Sequence, residues 1–561
     1  MKIDFSDHTK LDKETYLAFQ SFCNDNKNYF NEIIGKIYHS LNKNLDWLLS
    51  STASRNITDY SLYRDFCTIL FIKKLIKNNK DIGEVIVETK NVKKILKSFI
   101  INDKIKISVK KNKNRPGVLK KILVFLYCIM FNIIKYCACR LSSYKRTNLP
   151  KLPLTLIDTN VVQNATSSYN KSFYGNLWDL LEDDKKKTIF FMPNLFCTNV
   201  WKLYSAFKKL RQTDPLFVIK EDYLKISDIL YALFYFLRIR FIKIKSIYHE
   251  DVDISQLFIS DLRSLEGYQN SVQGILTFRF FMRLKEIGVN LKMVVDWWEN
   301  QPHDKGLHLG IHEFYQRTSV LGYTSGPSNL ALQYYPTSYE HLNHVVPNTI
   351  SVQGKAYING IKKINLKQKV NVAPAFRFYS IYNNFLHSPD PSIYTILVLL
   401  PVYLKNSLYI LKSINVYIKK YNPSKIRIWI KPHPTMKNKA IKKLTKNLSI
   451  NCEIVTGDIV ASLSKANILV GSMTTACLEA MGLGIPVIVL EQPYGLFGLL
   501  TIPRGIPQNF WKYCTSAEDI FDAINYFRSK AENSQDTRNY IRENYFEQVT
   551  KDSIVKFLEL K

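Results

Sequence analysis

The chain has 561 residues, 46% hydrophobic and 13% aromatic, which is too long for a single core and too apolar for a disordered protein. Its formal charge is +31, so an anionic partner is expected: nucleic acid, an anionic membrane surface or phosphorylated substrates. The nine cysteines follow no CxxC spacing, which fits a reducing, cytoplasmic compartment, and the N-terminus lacks the apolar core of a secretion signal.

About half of the positive excess lies in residues 1–150, in runs such as Lys110-Lys111-Asn112-Lys113 and Lys120-Lys121. This region reads as basic and mostly helical. No nucleic-acid-binding motif accompanies its lysines, so nucleic acid is the less expected partner. ILVFLYCIMFNII (122–134) is the membrane candidate. At 13 residues it falls short of the ~20 needed to span a bilayer. An interfacial helix beside a basic patch and a buried core helix both fit it.

From residue 151 strands alternate with helices, which predicts a parallel sheet. LPLTLID (152–158) and TIFFMP (188–193) read as strands, and FIKIKS (241–246) as a third. SDILYALFYFLRI (227–239) has helical spacing, and GILTFRFFMRLKEIG (274–288) is a helix stopped by Gly288. NLKMVVDWWENQ (290–301), SVLGYTSG (319–326) and NTISVQG (348–354) read as strands running into loops. NNFLHSPDPS (383–392) marks a boundary. Beyond it IYTILVLLP (393–401), KIRIWIKPHP (425–434), CEIVTG (452–457), ANILVGS (466–472) and IPVIVLEQP (485–493) are strands. NSLYILKSINVYIKKY (406–421) and ACLEAMG (476–482) are helices among them. The expected division is 1–150, 151–388 (acceptor side), 389–535 (donor side) and a C-terminal helix in 536–561.

Two stretches of the last block carry chemistry. In Lys431-Pro432-His433-Pro434, two prolines fix the backbone around a histidine at a strand end. In Gly471-Ser472-Met473-Thr474-Thr475, a glycine turn delivers hydroxyls to a helix start, and Glu479 follows Thr475 by one helical turn. Strand ends of parallel sheets collect ligands, and helix starts favour phosphate. A carboxylate at 479 suits a sugar diol. A capped helix and a structural loop histidine would look the same in isolation. Asp296 and Glu299, in DWWENQPHDKG (296–306), place carboxylates at a strand end among tryptophans. Glu299 is the first candidate for acid or base, with Asp296, Asp158 and Glu266 behind it. His303, Asp304, His308 and His312 are close in sequence and His308/His312 have i,i+4 spacing, but there is no HExxH and no cysteine partner, and no DxD pair ends a strand.

KPHP, a Ser/Thr-rich turn and E-A-x-x-x-G-x-P-V together resemble the donor domain of GT-B glycosyltransferases. The nearest likeness is to bacterial sialyltransferases and capsular Kdo transferases, in which His-Pro and Ser/Thr motifs hold CMP. DWWENQPHDKG, LGYTSGPSNLALQYYP (321–336), VPNTISVQGKAY (346–357) and APAFRF (373–378) extend the resemblance to bacterial surface-carbohydrate biosynthesis proteins, over about residues 290–510. It departs at Thr324-Ser325, where that family usually has a histidine, and at 500–505, where it often has Ser-Pro-Leu-Arg. The resemblance implies an α/β protein with two Rossmann-like domains facing a cleft, and a helical, basic N-terminal extension. It implies Lys431, His433, Pro434, Gly471, Ser472, Thr474, Thr475 and Glu479 at a nucleotide-sugar donor, a CMP-activated 2-keto sugar acid being favoured. The acceptor would be a glycan or lipid-linked glycan, with no cofactor and no metal. UDP- or GDP-sugar transfer, polyol-phosphate transfer, and a noncatalytic binding protein are the alternatives.

Overall fold

The computed structural model describes residues 2–6, 11–41, 43–56, 61–78, 81–100, 105–110, 118–142, 149–162, 171–196, 199–213, 216–324, 335–382, 387–401, 404–421, 425–434, 436, 441, 444, 452–472, 474–490, 502, 505–529 and 534–560. SGPSNLALQY (325–334), Met473, and 491–501 with 503 and 504 therefore lie outside the described residues.

The N-terminal region is mostly helical, with a small parallel sheet of β1 (Lys2–Asp4), β2 (Glu84–Val87) and β3 (Lys106–Val109) added to its helices. These strands are too short to stand out in a Lys-rich sequence. Its core is continuous with that of the following domain: Phe30, Tyr38, Trp47 and Phe66 belong to one cluster with Leu156, Val272, Phe280 and Leu307.

That domain is built on β4 (Leu154–Val162), β5 (Ile189–Phe196), β8 (Leu291–Trp297), β9 (Ser319–Thr324), β10 (Thr349–Val352) and β11 (Lys369–Val372). A two-stranded hairpin, β6 (Tyr248–His249) and β7 (Val252–Asp253), lies outside the sheet. The sheet is parallel throughout, in the order β11-β10-β9-β8-β4-β5. The chain reverses its direction of growth between β4 and β8, and that is where ligands gather in such sheets. FIKIKS forms no strand. Ile239–Phe241 is a 3-10 turn and 242–246 is irregular, because alternation alone supplies no neighbour for the backbone groups.

The last block forms β12 (Tyr394–Leu399), β13 (Ile426–Lys431), β14 (Cys452–Ile454), β15 (Ile468–Gly471), β16 (Val487–Leu490) and β17 (Trp511–Cys514). The order β14-β13-β12-β15-β16-β17, all parallel, is the Rossmann order 3-2-1-4-5-6. One face packs on the helices Leu404–Tyr421 and Ala517–Ser529. The other face shares a cluster with the first domain, in which Leu399, Leu469 and Met481 meet Trp298, Ile350 and Phe378. After the helix Ser534–Tyr545 the chain returns to the first domain. The helix Lys551–Phe557 inserts Ile554 and Phe557 against Tyr323 and Phe376. Two Rossmann-like domains with a chain end that crosses back constitute the GT-B fold.

The apolar segment 122–134 is the middle of a longer element. The helix Val118–Leu141 has 24 residues, and Leu119–Leu141 is long and apolar enough to cross a membrane. The expectation of a short helix took the lysines on either side, Lys120, Lys121 and Lys135, as its ends. Asn132 and Lys135 do not end the helix because they turn inward, where Lys135 pairs with Glu221 at 2.6 Å.

One buried ion cluster joins the N-terminal region to the first domain. Glu340, on the short helix Ser338–Leu342, accepts from Arg55 (2.7 Å) and Lys305 (2.7 Å), all three side chains fully buried. It also accepts from Asn300 Nδ2 at 3.1 Å and from the Thr337 amide at 2.9 Å. Burial favours the neutral acid, but Arg55 and Lys305 prevail and hold Glu340 down at about 2. Its carboxylate therefore adds stability that is complete above the ordinary 4.5 and lost as pH falls from there through about 2. Glu340→Gln leaves two buried cations short of an anion, and should destabilise the fold by about 3–5 kcal/mol in urea denaturation at pH 7. A loss below about 1 kcal/mol would show that this cluster does not hold the two regions together.

Candidate functional site

The first domain presents carboxylates where its sheet reverses growth. The β4–β8 register runs to the pair Ile157–Val295, so Asp158 and Asp296 occupy the next positions on adjacent strands. Both are buried. His303 Nε2 meets Asp158 Oδ1 at 3.1 Å, and His308 Nε2 meets Asp296 Oδ2 at 2.8 Å. Thr277 Oγ1, bonded to His303 Nδ1 (2.8 Å), and Lys220, bonded to Thr277 (3.1 Å), extend the network into the core.

The turn after β8 explains DWWENQPHDKG residue by residue. Asn300 takes a left-handed φ of 55°, Pro302 opens the helix Pro302–Phe314, and Asp304 caps it by accepting from the amides of Glu299 and Gln301, both at 2.9 Å. A Cβ on Gly306 would stand 2.1 Å from the Gly274 carbonyl oxygen, so the two helices cross backbone to backbone. Burial, with the Asp304, Asp158 and Glu299 carboxylates nearby, pushes Asp296 up. Burial also pushes Asp304 up, against its two amide donors. His308 falls to about 3 through burial, Lys305 and His303. Both shifts run toward the uncharged forms, the acid for Asp296 and the neutral imidazole for His308.

Of the expected carboxylates, Glu299 alone combines a strand end with partial exposure. Trp297 Nε1 donates to its Oε1 at 3.3 Å. Asp158 and Asp296 stand beside it but below the surface. Glu266 stands apart and pairs with Lys121 at 2.7 Å over a different surface hollow. The histidines separate rather than converge: His312 stacks on His344, and among the described residues no group of His, Cys, Asp and Glu is placed to hold a metal ion.

The second domain's motifs lie on two strands that flank β12, so their ends are about 10 Å apart, two strand spacings. After β13 the Met436 amide bonds the His433 carbonyl (2.9 Å), closing a turn around Pro434. His433 is half-buried, and burial with nearby Arg377 lowers its pKa, so it is neutral at pH 7 and offers one N–H. Lys431 turns toward the neighbouring loop. Its Nζ donates to the carbonyls of Gly457 (2.8 Å) and Asp458 (3.3 Å), which anchors that loop. After β15, Gly471 and Ser472 are buried and Thr474 and Thr475 are partly exposed. The helix Ala476–Gly482 has seven residues, so the hydroxyls carry more of the polarity here than the short helix does.

Glu479 faces the first domain and accepts from Ser380 Oγ at 3.4 Å. Burial pushes its carboxyl up to about 7; Arg377 opposes, Asp458 adds to the rise and the Ser380 bond opposes. Arg377 is thus near both His433 and Glu479. It comes from APAFRF, where Ala373, Ala375, Phe376 and Phe378 are buried and only the arginine points out. That lone exposed cation among buried neighbours was the available signal in the sequence, and Asp304 as a helix cap was another.

Comparison with protein-family models and with curated protein sequences gives no match. Among solved structures, an S. aureus MnaA–UDP structure is 12% identical, with a TM-score of 0.42 over 73% of this chain and 98% of that one. The lipopolysaccharide outer core galactosyltransferase WaaB is 11% identical, with a TM-score of 0.41 over 73% and 99%. The α,α-trehalose 6-phosphate synthase of Burkholderia multivorans is 10% identical, with a TM-score of 0.39 over 72% and 96%.

The raised Glu479 makes a pH prediction. From its ordinary 4.5 up to about 7 the folded chain keeps a proton there that the unfolded chain releases, so stability falls as pH rises through that window. Glu479→Gln should therefore gain about 2–3 kcal/mol at pH 8 and change little at pH 4 in urea denaturation. Equal stability of the two proteins at pH 8 would refute the strain assigned to this carboxylate.

Proposed function

We propose that the protein is a glycosyltransferase that draws its sugar from a nucleotide-sugar donor. What supports this is His433 at a strand end of a Rossmann-like sheet and Glu479 on the helix after a nearby strand, both within electrostatic reach of Arg377 from a third segment. His433 and Arg377 suit a phosphate that gains negative charge as it departs. Glu479, once ionised, suits the hydroxyls of a ribose or sugar. In the transfer the bond from the anomeric carbon to the phosphate oxygen breaks, and a bond to an acceptor hydroxyl forms. Glu299 takes the proton that the hydroxyl releases.

For the donor we favour a CMP-activated 2-keto sugar acid, sialic-acid-like or Kdo. The support is the pairing of His433-Pro434 with Ser472, Thr474 and Thr475. The acceptor class that goes with it is a glycan or lipid-linked glycan of a bacterial surface polysaccharide. A second reading, a nucleoside-diphosphate sugar such as a UDP- or GDP-sugar, is favoured by Arg377, because a second cation matches a second phosphate.

A thermal-shift panel of CMP, CDP, UDP and GDP separates the two readings, since a ligand that binds only the folded state raises Tm. CMP alone is the expected stabiliser; diphosphates alone would favour the second reading, and no shift with any nucleotide would overturn both. His433→Ala and Arg377→Ala should each lower donor turnover by at least roughly tenfold with Tm little changed, as expected for loss of a charge-assisted contact. Glu299→Gln should keep nucleotide affinity within about threefold, cut transfer by roughly 10²-fold and flatten the acidic limb of the pH–rate profile. Near-wild-type transfer in that variant would move the base to another carboxylate.

A further inference from the structure

The helix Val118–Leu141 is amphipathic in the inverted sense. Its polar residues face the protein: Asn132 exchanges hydrogen bonds with Gln269 and Gln273 (both 2.8 Å), and Lys135 meets Glu221. Its apolar residues face outward, Ile122, Leu123, Leu126, Met130 and Ile133 recurring at three- and four-residue steps along one stripe. Water disfavours that arrangement, whereas a helix seated in lipid adopts it, with polar groups inward.

The stripe continues onto its neighbours. Phe125 packs edge-on against Phe236 at 5.1 Å, joining the helix to a segment that exposes Phe234, Leu237 and Phe241, the last 83% exposed. On another side the helix packs against Leu203–Leu210, which exposes Tyr204 and follows Trp201, 91% exposed. Aromatic rings at the rim of an apolar face match the headgroup level of a bilayer. Exposed cations stand among these residues: Lys120, Lys202, Lys208, Arg240 and Lys243.

We infer that this face docks in the plane of an anionic lipid bilayer, the helix lying along the surface rather than crossing it. Ala138 and Cys139 are buried in the first domain's core, so the inner side of the helix is already occupied by protein. The basic border selects lipid of negative charge, and the chain's excess of +31 provides attraction at longer range. The inference does not depend on the donor chemistry.

The test uses the full-length protein and sedimentation with vesicles of phosphatidylcholine alone or with about 30% phosphatidylglycerol. The protein should sediment with the anionic vesicles, less so with the neutral ones, and binding should weaken in about 0.5 M salt through screening. The double variant Leu123→Glu/Met130→Glu, at two exposed sites, should keep its Tm and lose at least roughly tenfold in vesicle partition. Trp emission should shift to the blue on anionic vesicles in wild type and less in Trp201→Phe. Absence of binding at low salt, or wild-type partition of a folded double variant, would overturn the docking surface. So would a wild-type dimer that the double variant dissolves, because the face would then belong to a second copy.

Discussion

The carboxylate of Glu340 is the constraint on which the geometry of the first domain hangs. It sits in full burial between Arg55 and Lys305, and it also takes a hydrogen bond from Asn300. Arg55 belongs to the N-terminal region, Lys305 to the helix after β8, and Asn300 to the turn that carries Glu299. One buried anion thus fixes three segments at once. An anion removed from water at such cost is retained only where every partner is in place. The left-handed backbone at Asn300 is held by the same contact, so the direction of the preceding Glu299 follows from a charge pair beneath the surface.

The two candidate half-sites are under different electrostatic conditions. In the first domain burial and mutual repulsion keep Asp296 and Asp304 toward their neutral forms and His308 uncharged, so the network under Glu299 is a nearly neutral scaffold. In the second domain burial raises Glu479 toward neutrality, with Arg377 opposing. A carboxylate shifted by burial with a cation within reach is a feature of functional sites. The burial that raises Glu479 comes partly from the first domain, through Ser380, so the property belongs to neither domain alone.

Much of this was legible in the sequence because the central parallel strands are mostly buried and end at sharp breaks. β12, β13, β15 and β16 read as apolar runs stopped by Pro401, Pro432, Gly471 and Glu491, and ACLEAMG is a helix with the bounds its pattern gives. What was not legible depends on partners distant along the chain. Lys431 reads as a phosphate ligand beside His433, but its ammonium reaches the carbonyls of Gly457 and Asp458. Arg377 could not be assigned without the second domain set against it. The helix Val118–Leu141 looked short because Lys120, Lys121 and Lys135 read as its ends, and only the inward partner of Lys135 makes that residue part of it. FIKIKS carried a strand's alternation with no edge to join.

The return of the chain to the first domain has a consequence for motion. The domains are connected once near 383–388 and again where Glu547 bonds both Ala375 and Gln353 backbone groups and the last helix inserts beside Tyr323. The two crossings lie side by side, the Tyr382 hydroxyl donating to the carbonyls of Arg542 and Phe546, and together they remove rotations that one flexible tether would allow. The remaining freedom is a turn about the line through both crossings. Arg377 lies in the stretch leading into the first crossing, close to that axis, where such a turn displaces atoms least. Opening and closing would therefore leave Arg377 nearly in place while the rest of each domain turns about it.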